Sequence, residues 1–146
     1  MLVRDLLRNK KRDVVTVSGN TPISGAMDLL IAHQISCLPV ISVSGELEGI
    51  VSDRDIFRAI HKNPRSFKIL TVGNLMTTEV MIGVPDDDIG YIGGVMTQNR
   101  IRHIPIVEDD NLVGLISLGD VVKAHIDEVE VENRYLKTYI AGSYQG

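Results

Sequence analysis

Only one cysteine, Cys37, stands in the 146 residues, so the chain forms no internal disulfide and suits a reducing compartment. No apolar run approaches the roughly 18 residues of a membrane span, and no hydrophobic segment with a cleavage site opens the sequence. A cytoplasmic protein without membrane contact is expected. Positive charge is not in excess either. Fifteen Lys and Arg against 19 Asp and Glu give a net charge of −4, which disfavours nucleic acid as a partner because phosphate binding needs a basic surface. The one exception, Arg8-Asn9-Lys10-Lys11-Arg12, lies between a short apolar segment and the first strand and reads as a solvated turn. Neither a P-loop nor G-x-G-x-x-G stands between a strand and a helix. His33, His61 and His125 make no spaced ligand set, and one thiol makes no thiolate site, so no metal is expected. No nucleophile or acidic partner can be assigned to His103, so no catalytic residue is named and no catalytic cofactor is needed.

What the chain does have is one unit written twice. Ile23, Leu30, Ile35, Pro39 and Val40 correspond to Ile89, Met96, Ile101, Pro105 and Ile106 at a constant offset, and one residue is lost in the turn that follows. Gly49, Ile50, Ser52, Asp55 and Ala59 then match Gly114, Leu115, Ser117, Asp120 and Ala124. A deletion confined to a turn, with register kept on both sides, marks a duplicated structural unit. Hydrophobic content of 44% and charge of 23% fit one compact globular domain.

Each copy gives the same order of elements. Val14–Val17 is β-branched and ends at Ser18-Gly19-Asn20, which predicts a strand and a turn. Thr21 is placed as the cap of a helix with Pro22 in its first turn. Ile23, Ala26, Met27, Leu30 and Ile31 form its buried stripe. In the second copy Ile89, Ile92, Gly93 and Met96 repeat that stripe, and Asp86-Asp87-Asp88 supplies the cap. Gly93-Gly94 is read as a close helix contact. Two strands then follow in each copy, Leu38–Val43 with Leu47–Val51 and Ile104–Val107 with Leu112–Ile116. Each pair leads into a helix, near Asp53 and Leu118. Short helices at Val3–Leu7 and Val72–Met76 precede the copies, and His61–Phe67 links them.

That order, with the phrases CLPVISVSGELEGIVSDRDI and RHIPIVEDDNLVGLISLGDV, resembles a pair of CBS domains (the cystathionine β-synthase repeat), the arrangement called a Bateman module. The recurrence of hydrophobic-Pro-hydrophobic, Gly-h-h-Ser and Ser-x-x-Asp in both copies makes the resemblance specific. It implies an α/β fold of the α+β type, with tandem β-α-β-β-α repeats related by a pseudo-twofold axis. Residues 1–68 and 69–126 are then the two repeats of one compact module, and 127–146 a C-terminal helical extension. Also implied is a non-catalytic regulatory module, a homodimer that an unidentified regulated protein reads. Its ligand would be an adenine nucleotide (AMP, ADP or ATP), with NAD or S-adenosylmethionine as alternatives. A structural homodimerisation module with empty grooves is the competing expectation.

Ser52-Asp53-Arg54-Asp55 and Ser117-Leu118-Gly119-Asp120 stand where a strand gives way to a helix. As isolated motifs they are capping boxes. A helix N-terminus also attracts anions, and a carboxylate one turn in can accept two hydrogen bonds from a ribose diol. The resemblance adds that each aspartate holds the ribose in a groove completed by the other repeat. In the first groove Ile50, Ser52 and Asp55 would face Ile82, Ile101, Arg102 and His103, with Arg54, Arg102 and His103 toward phosphates. In the second, Ile116, Ser117 and Asp120 would face Thr16, Ile35, Ser36 and Cys37, with the Thr16 hydroxyl toward an adenine edge. Having fewer cations, the second groove is expected to take a less charged ligand or none.

Beyond the repeats, Val122, Ile126, Val129, Asn133, Leu136 and Ile140 step alternately by four and three. This stripe predicts a helix running past Ile126 to about Ile140, packed on its own module or against a partner's tail.

Overall fold

Pro39 and Pro105 sit in the buried middle of two short strands, and the rest of each repeat is arranged around them. The protein, seen in a computed structural model, is described for residues 1–10 and 12–145, with side-chain surroundings as far as residue 137. The helices are α1 (Val3–Asn9), α2 (Ile23–His33), α3 (Asp53–Lys62), α4 (Val72–Leu75), α5 (Ile89–Asn99) and α6 (Leu118–Gln145). The strands are β1 (Cys37–Ile41), β2 (Leu47–Ser52), β3 (His103–Glu108) and β4 (Asn111–Ser117), and a 3-10 turn covers Phe67–Ile69. β1 pairs antiparallel with β2, and β3 with β4, giving two small sheets. Both pairings shift register at the same place, between Val40 and Ile41 and between Ile106 and Val107.

The strand expected at Val14–Val17 is reduced to one bridging residue. Val17 donates its N–H to the Pro39 carbonyl and accepts from the Ile41 N–H before the chain turns away at Ser18. Gly83 does the same against Pro105 and Val107 in the second repeat. Among the described residues, each segment makes two backbone hydrogen bonds on the edge of its two-stranded sheet.

The start of α2 also differs from expectation. Pro22, with φ −59° and ψ 151°, is the residue before the first helical turn, and the Thr21 side chain makes no capping bond. The free N–H of Ile23 donates instead to the Leu70 carbonyl, so the segment before the second repeat serves as the cap. For α5 the cap is the expected one, with the Asp88 carboxylate accepting from the Gly90 N–H. Of the glycine pair, Gly93 meets Val121 of α6 closely, whereas Gly94 faces open space.

Two apolar clusters fill the interior, and each recruits the helix that leads into the other repeat. Val3 and Leu6 of α1 are buried with Ile92, Met96, Ile104 and Ile116 of the second repeat. Val72 of α4 is buried with Ile23, Leu38, Val40 and Val51 of the first. The packing thus exchanges the leading helices between the repeats. Gly49 and Gly114 permit the exchange. A Cβ at Gly49 would come within 2.6 Å of the Thr77 carbonyl, and one at Gly114 within 2.5 Å of the Leu7 side chain. The exchange has a functional consequence, because the chain leaving α4 runs beside β2 and the chain leaving α1 runs beside β4.

α6 continues through the tail as the stripe predicts. Val122, Ile126, Val129 and Leu136 remain 40–49% exposed, so the tail is not folded back onto the module. The side chain of Ile140 lies outside the described residues. No helix among the described residues is long and apolar enough to cross a membrane.

Candidate functional site

Both Ser-x-x-Asp motifs form the capping box that their spacing dictates. The Ser52 hydroxyl accepts from the Asp55 N–H at 3.2 Å, and the Asp55 Oδ2 accepts from the Ser52 N–H at 2.9 Å. Ser52 Oγ also donates to Oδ2, at 3.0 Å. Ser117 and Asp120 repeat the reciprocal bonds at 2.8 and 3.0 Å. In each box Oδ2 serves the cap, while Oδ1 has no hydrogen-bond partner among the described residues. A carboxylate that caps with one oxygen can still present the other to a hydroxyl donor.

Asp55 borders a cleft of about 860 Å³ between the repeats. Ile50, Ser52 and Arg54 form one wall, and Ile101, Arg102 and His103 form the other. The floor comes from Thr77–Met81, held on β2 by reciprocal hydrogen bonds between Ile50 and Thr77 at 3.0 and 2.9 Å. Asp120 borders a second cleft of about 1110 Å³, lined by Ser117, Leu115, Ile35, Ser36, Cys37 and the segment from Arg12 to Val15. Each is the size of a small-molecule site. Ser36, Cys37 and His103 line both. Hydrogen bonds from the Asp53 N–H to the Ser36 carbonyl and from the Leu118 N–H to the Arg102 carbonyl fix the approaches to β1 and β3.

The family model of the CBS domain matches twice in succession, over residues 3–62 and 72–127. The chain belongs to the CBS-domain family. This CBS pair is 36% identical over 123 residues to the mitochondrial CBS domain-containing protein CBSX3 of Arabidopsis thaliana, covering 82% of the chain but 60% of that relative. Among solved structures, the CBS domain pair of protein MJ0100, in complex with 5′-methylthioadenosine and S-adenosyl-L-methionine, superposes with a TM-score of 0.77 and 27% identity. The match covers 88% of this chain and 98% of that one. CBSX2 in complex with AMP superposes with a TM-score of 0.76 and 25% identity, over 86% and 96% of the two chains.

Three expected groove residues stand elsewhere. Thr16 and Ile82 are each one residue too late, and the clefts of the CBS pair are lined by Val14 and Val15 and by Val80 and Met81. Val17, the bridging residue, faces the core, and the cleft lining ends two residues before it at Val15. Ile116 is fully buried in the second cluster, and its neighbour Leu115 lines the cleft. Leu115 is the residue that matches Ile50 across the repeats. Strand alternation carried through that match would have named it.

The structure adds cations that the sequence reading missed. Arg58, one turn beyond Arg54 on the same face of α3, and Arg100 join the Asp55 cleft, where Asp53 and Glu79 partly offset them. Of the basic run, Arg8, Asn9 and Arg12 are exposed as expected, but Lys10 is drawn into the Asp120 cleft. Lys10 Nζ donates to Asp120 Oδ2 at 2.8 Å and to the Leu115 carbonyl at 2.9 Å, and Arg12 lies along the same wall. Lys11 lies outside the described residues. The second cleft is therefore richer in cations than its capping motif implies, although one of them is already paired.

Burial pushes the Asp120 carboxyl up, but the Lys10 ammonium and the Ser117 N–H and hydroxyl outweigh it and hold the group below its ordinary value. The pair thus stabilises the fold above the usual carboxylate range, and that contribution fades as pH falls through the depressed value. Burial lowers the His103 pKa, although the nearby Asp120 carboxylate opposes that shift. The Cys37 thiol is pushed up to about 12 by burial and by Asp53 and Asp55. At pH 8 its thiolate fraction is roughly a thousandfold below that of an ordinary thiol. Alkylation by iodoacetamide, followed by intact mass, is expected to be correspondingly slow in the folded protein and fast in urea. Reaction at the rate of free glutathione would contradict the buried placement.

Proposed function

We propose that this CBS pair is a regulatory module that binds an adenine nucleotide or related adenosyl ligand between its repeats and catalyses no reaction. The observation that carries the reading is the Asp55 carboxylate, which caps α3 with Oδ2, keeps Oδ1 without a partner among the described residues, and borders a cleft lined by Arg54, Arg58, Arg100 and Arg102. A ribose diol on the carboxylate would put the phosphates within the reach of guanidinium groups, which bind them by charge-assisted, often bidentate hydrogen bonds. AMP, ADP and ATP fit this chemistry best, with NAD and S-adenosylmethionine as alternatives. The adenosyl ligands held by the MJ0100 and CBSX2 structures support the class.

Such a ligand would touch Ser52 and Asp55 of one repeat and Met81, Ile101 and Arg102 of the other. It therefore favours the arrangement in which both walls are in place, and differential affinity for that arrangement is what converts binding into a signal. A homodimer that a regulated protein reads completes the proposal. A second reading, a structural dimerisation module, is favoured by the exposed stripe Val122, Ile126, Val129 and Leu136 on α6.

Thermal unfolding with and without millimolar AMP, ATP, NAD or S-adenosylmethionine separates the two. A ligand at about 100 times its dissociation constant adds roughly 2.7 kcal/mol. For a domain of this size that raises the melting temperature by about 5–10 °C. No shift with any of the four would leave the structural reading.

A further inference from the structure

The two aspartates are equivalent in sequence and unequal in their surroundings. Among the described residues, Asp55 Oδ2 accepts only from Ser52, through its N–H and its hydroxyl, and that hydroxyl can rotate toward a ligand. Asp120 Oδ2 accepts from the Ser117 N–H and from the Lys10 ammonium, which fills its remaining lone pair. Lys10 is held from behind by the Leu115 carbonyl, and its side chain is 31% exposed against 24% for Asp120. No salt bridge to Asp55 is present among the described residues, so the carboxylate of the first cleft is unpaired there. The chain leaving α1 carries Lys10 into the second cleft, whereas the chain leaving α4 carries Thr77–Met81, without a cation, into the first.

We infer that Lys10 is a specificity-determining residue that occupies the ribose-binding carboxylate of the Asp120 cleft and so directs a ribosyl ligand to the Asp55 cleft first. The inference rests on the proposed nucleotide reading and deepens it. A ribose diol that sets one hydroxyl on each carboxylate oxygen needs acceptor capacity on both, and at Asp120 the Ser117 N–H and Lys10 occupy Oδ2 while Lys10 is in place. The second cleft fills only when the ion pair is broken. Salt weakens a partly exposed pair, so high ionic strength narrows the difference between the clefts.

The test uses adenosine, a neutral probe that isolates the ribose from phosphate attraction, with binding and stoichiometry read by isothermal titration calorimetry. The wild-type chain is expected to bind one adenosine, lost in Asp55→Asn. Lys10→Met, with Lys10→Gln as a second variant that retains a polar side chain, is expected to gain a second site. Affinity at that site should rise by about tenfold or more, and Asp120→Asn should abolish it. Lys10→Arg keeps the charge and should retain the single site. If both neutral variants bind one adenosine with unchanged affinity, or if they bind more weakly, the inference is overturned while the nucleotide reading stands. If neither the wild type nor any Lys10 variant binds adenosine, both are overturned together.

Discussion

Asp55→Asn is expected to weaken AMP binding by about one to two decades while changing the melting temperature only slightly. The asparagine keeps a side-chain oxygen for the Ser52 N–H, so most of the cap survives. What it loses is the anionic acceptor facing the cleft, and a hydrogen bond to a charged group is worth roughly 1.5–3 kcal/mol. Comparison of ribosyl with 2′-deoxyribosyl ligands isolates the cause. Wild-type protein should prefer AMP over 2′-deoxy-AMP, because a carboxylate loses a donor when the hydroxyl is absent. The variant should discriminate less. Titration calorimetry beside thermal melts reads both quantities. Unchanged affinity with a lowered melting temperature would make Asp55 a cap and nothing more.

Leu38→Ala is expected to cost about 2–5 kcal/mol in urea unfolding, the largest single effect on stability considered. Leu38 is fully buried among Ile23, Val40, Val51 and Val72, on the strand that carries Ser36 and Cys37 to the clefts. Its loss leaves a cavity that neighbours from two repeats would have to fill. A domain holds only about 5–15 kcal/mol in total, so the variant should also bind ligand more weakly at physiological temperature through partial unfolding. A loss below about 1 kcal/mol would mean that β1 is not packed against the exchanged helix α4.

The hairpins and the helices that follow them were legible because each of their signals is local. Pro39 and Pro105 fix matching strands, the turn deletion fixes the register, and Ser-x-x-Asp marks where α3 and α6 begin. The tail helix was equally legible from a stripe that repeats over several turns. What failed was of two kinds. Thr16, Ile82 and Ile116 were off by a single residue, and for Ile116, on β4, one residue reverses the side chain. The Ile116 error was avoidable, since Leu115 already matched Ile50. Other features were not encoded locally at all. Nothing near Val3 or Val72 states that α1 joins the second core and α4 the first. Lys10 looked like any charge after a short helix, because its partners, Leu115 and Asp120, lie more than a hundred positions away. Thr21 was a sound cap candidate displaced by the Leu70 carbonyl, a tertiary contact overriding a local preference.

Hydrogen exchange followed by mass spectrometry, with and without saturating AMP, tests the claim that the ligand sits between the repeats. Residues 52–58 come from the first repeat, residues 77–81 from the floor, and residues 100–103 from the opposite wall of the same cleft. A ligand bound there should slow exchange in all three segments together, with half-maximal protection at one common AMP concentration. Protection of one wall alone, or no protection in any of them, would contradict binding in the Asp55 cleft.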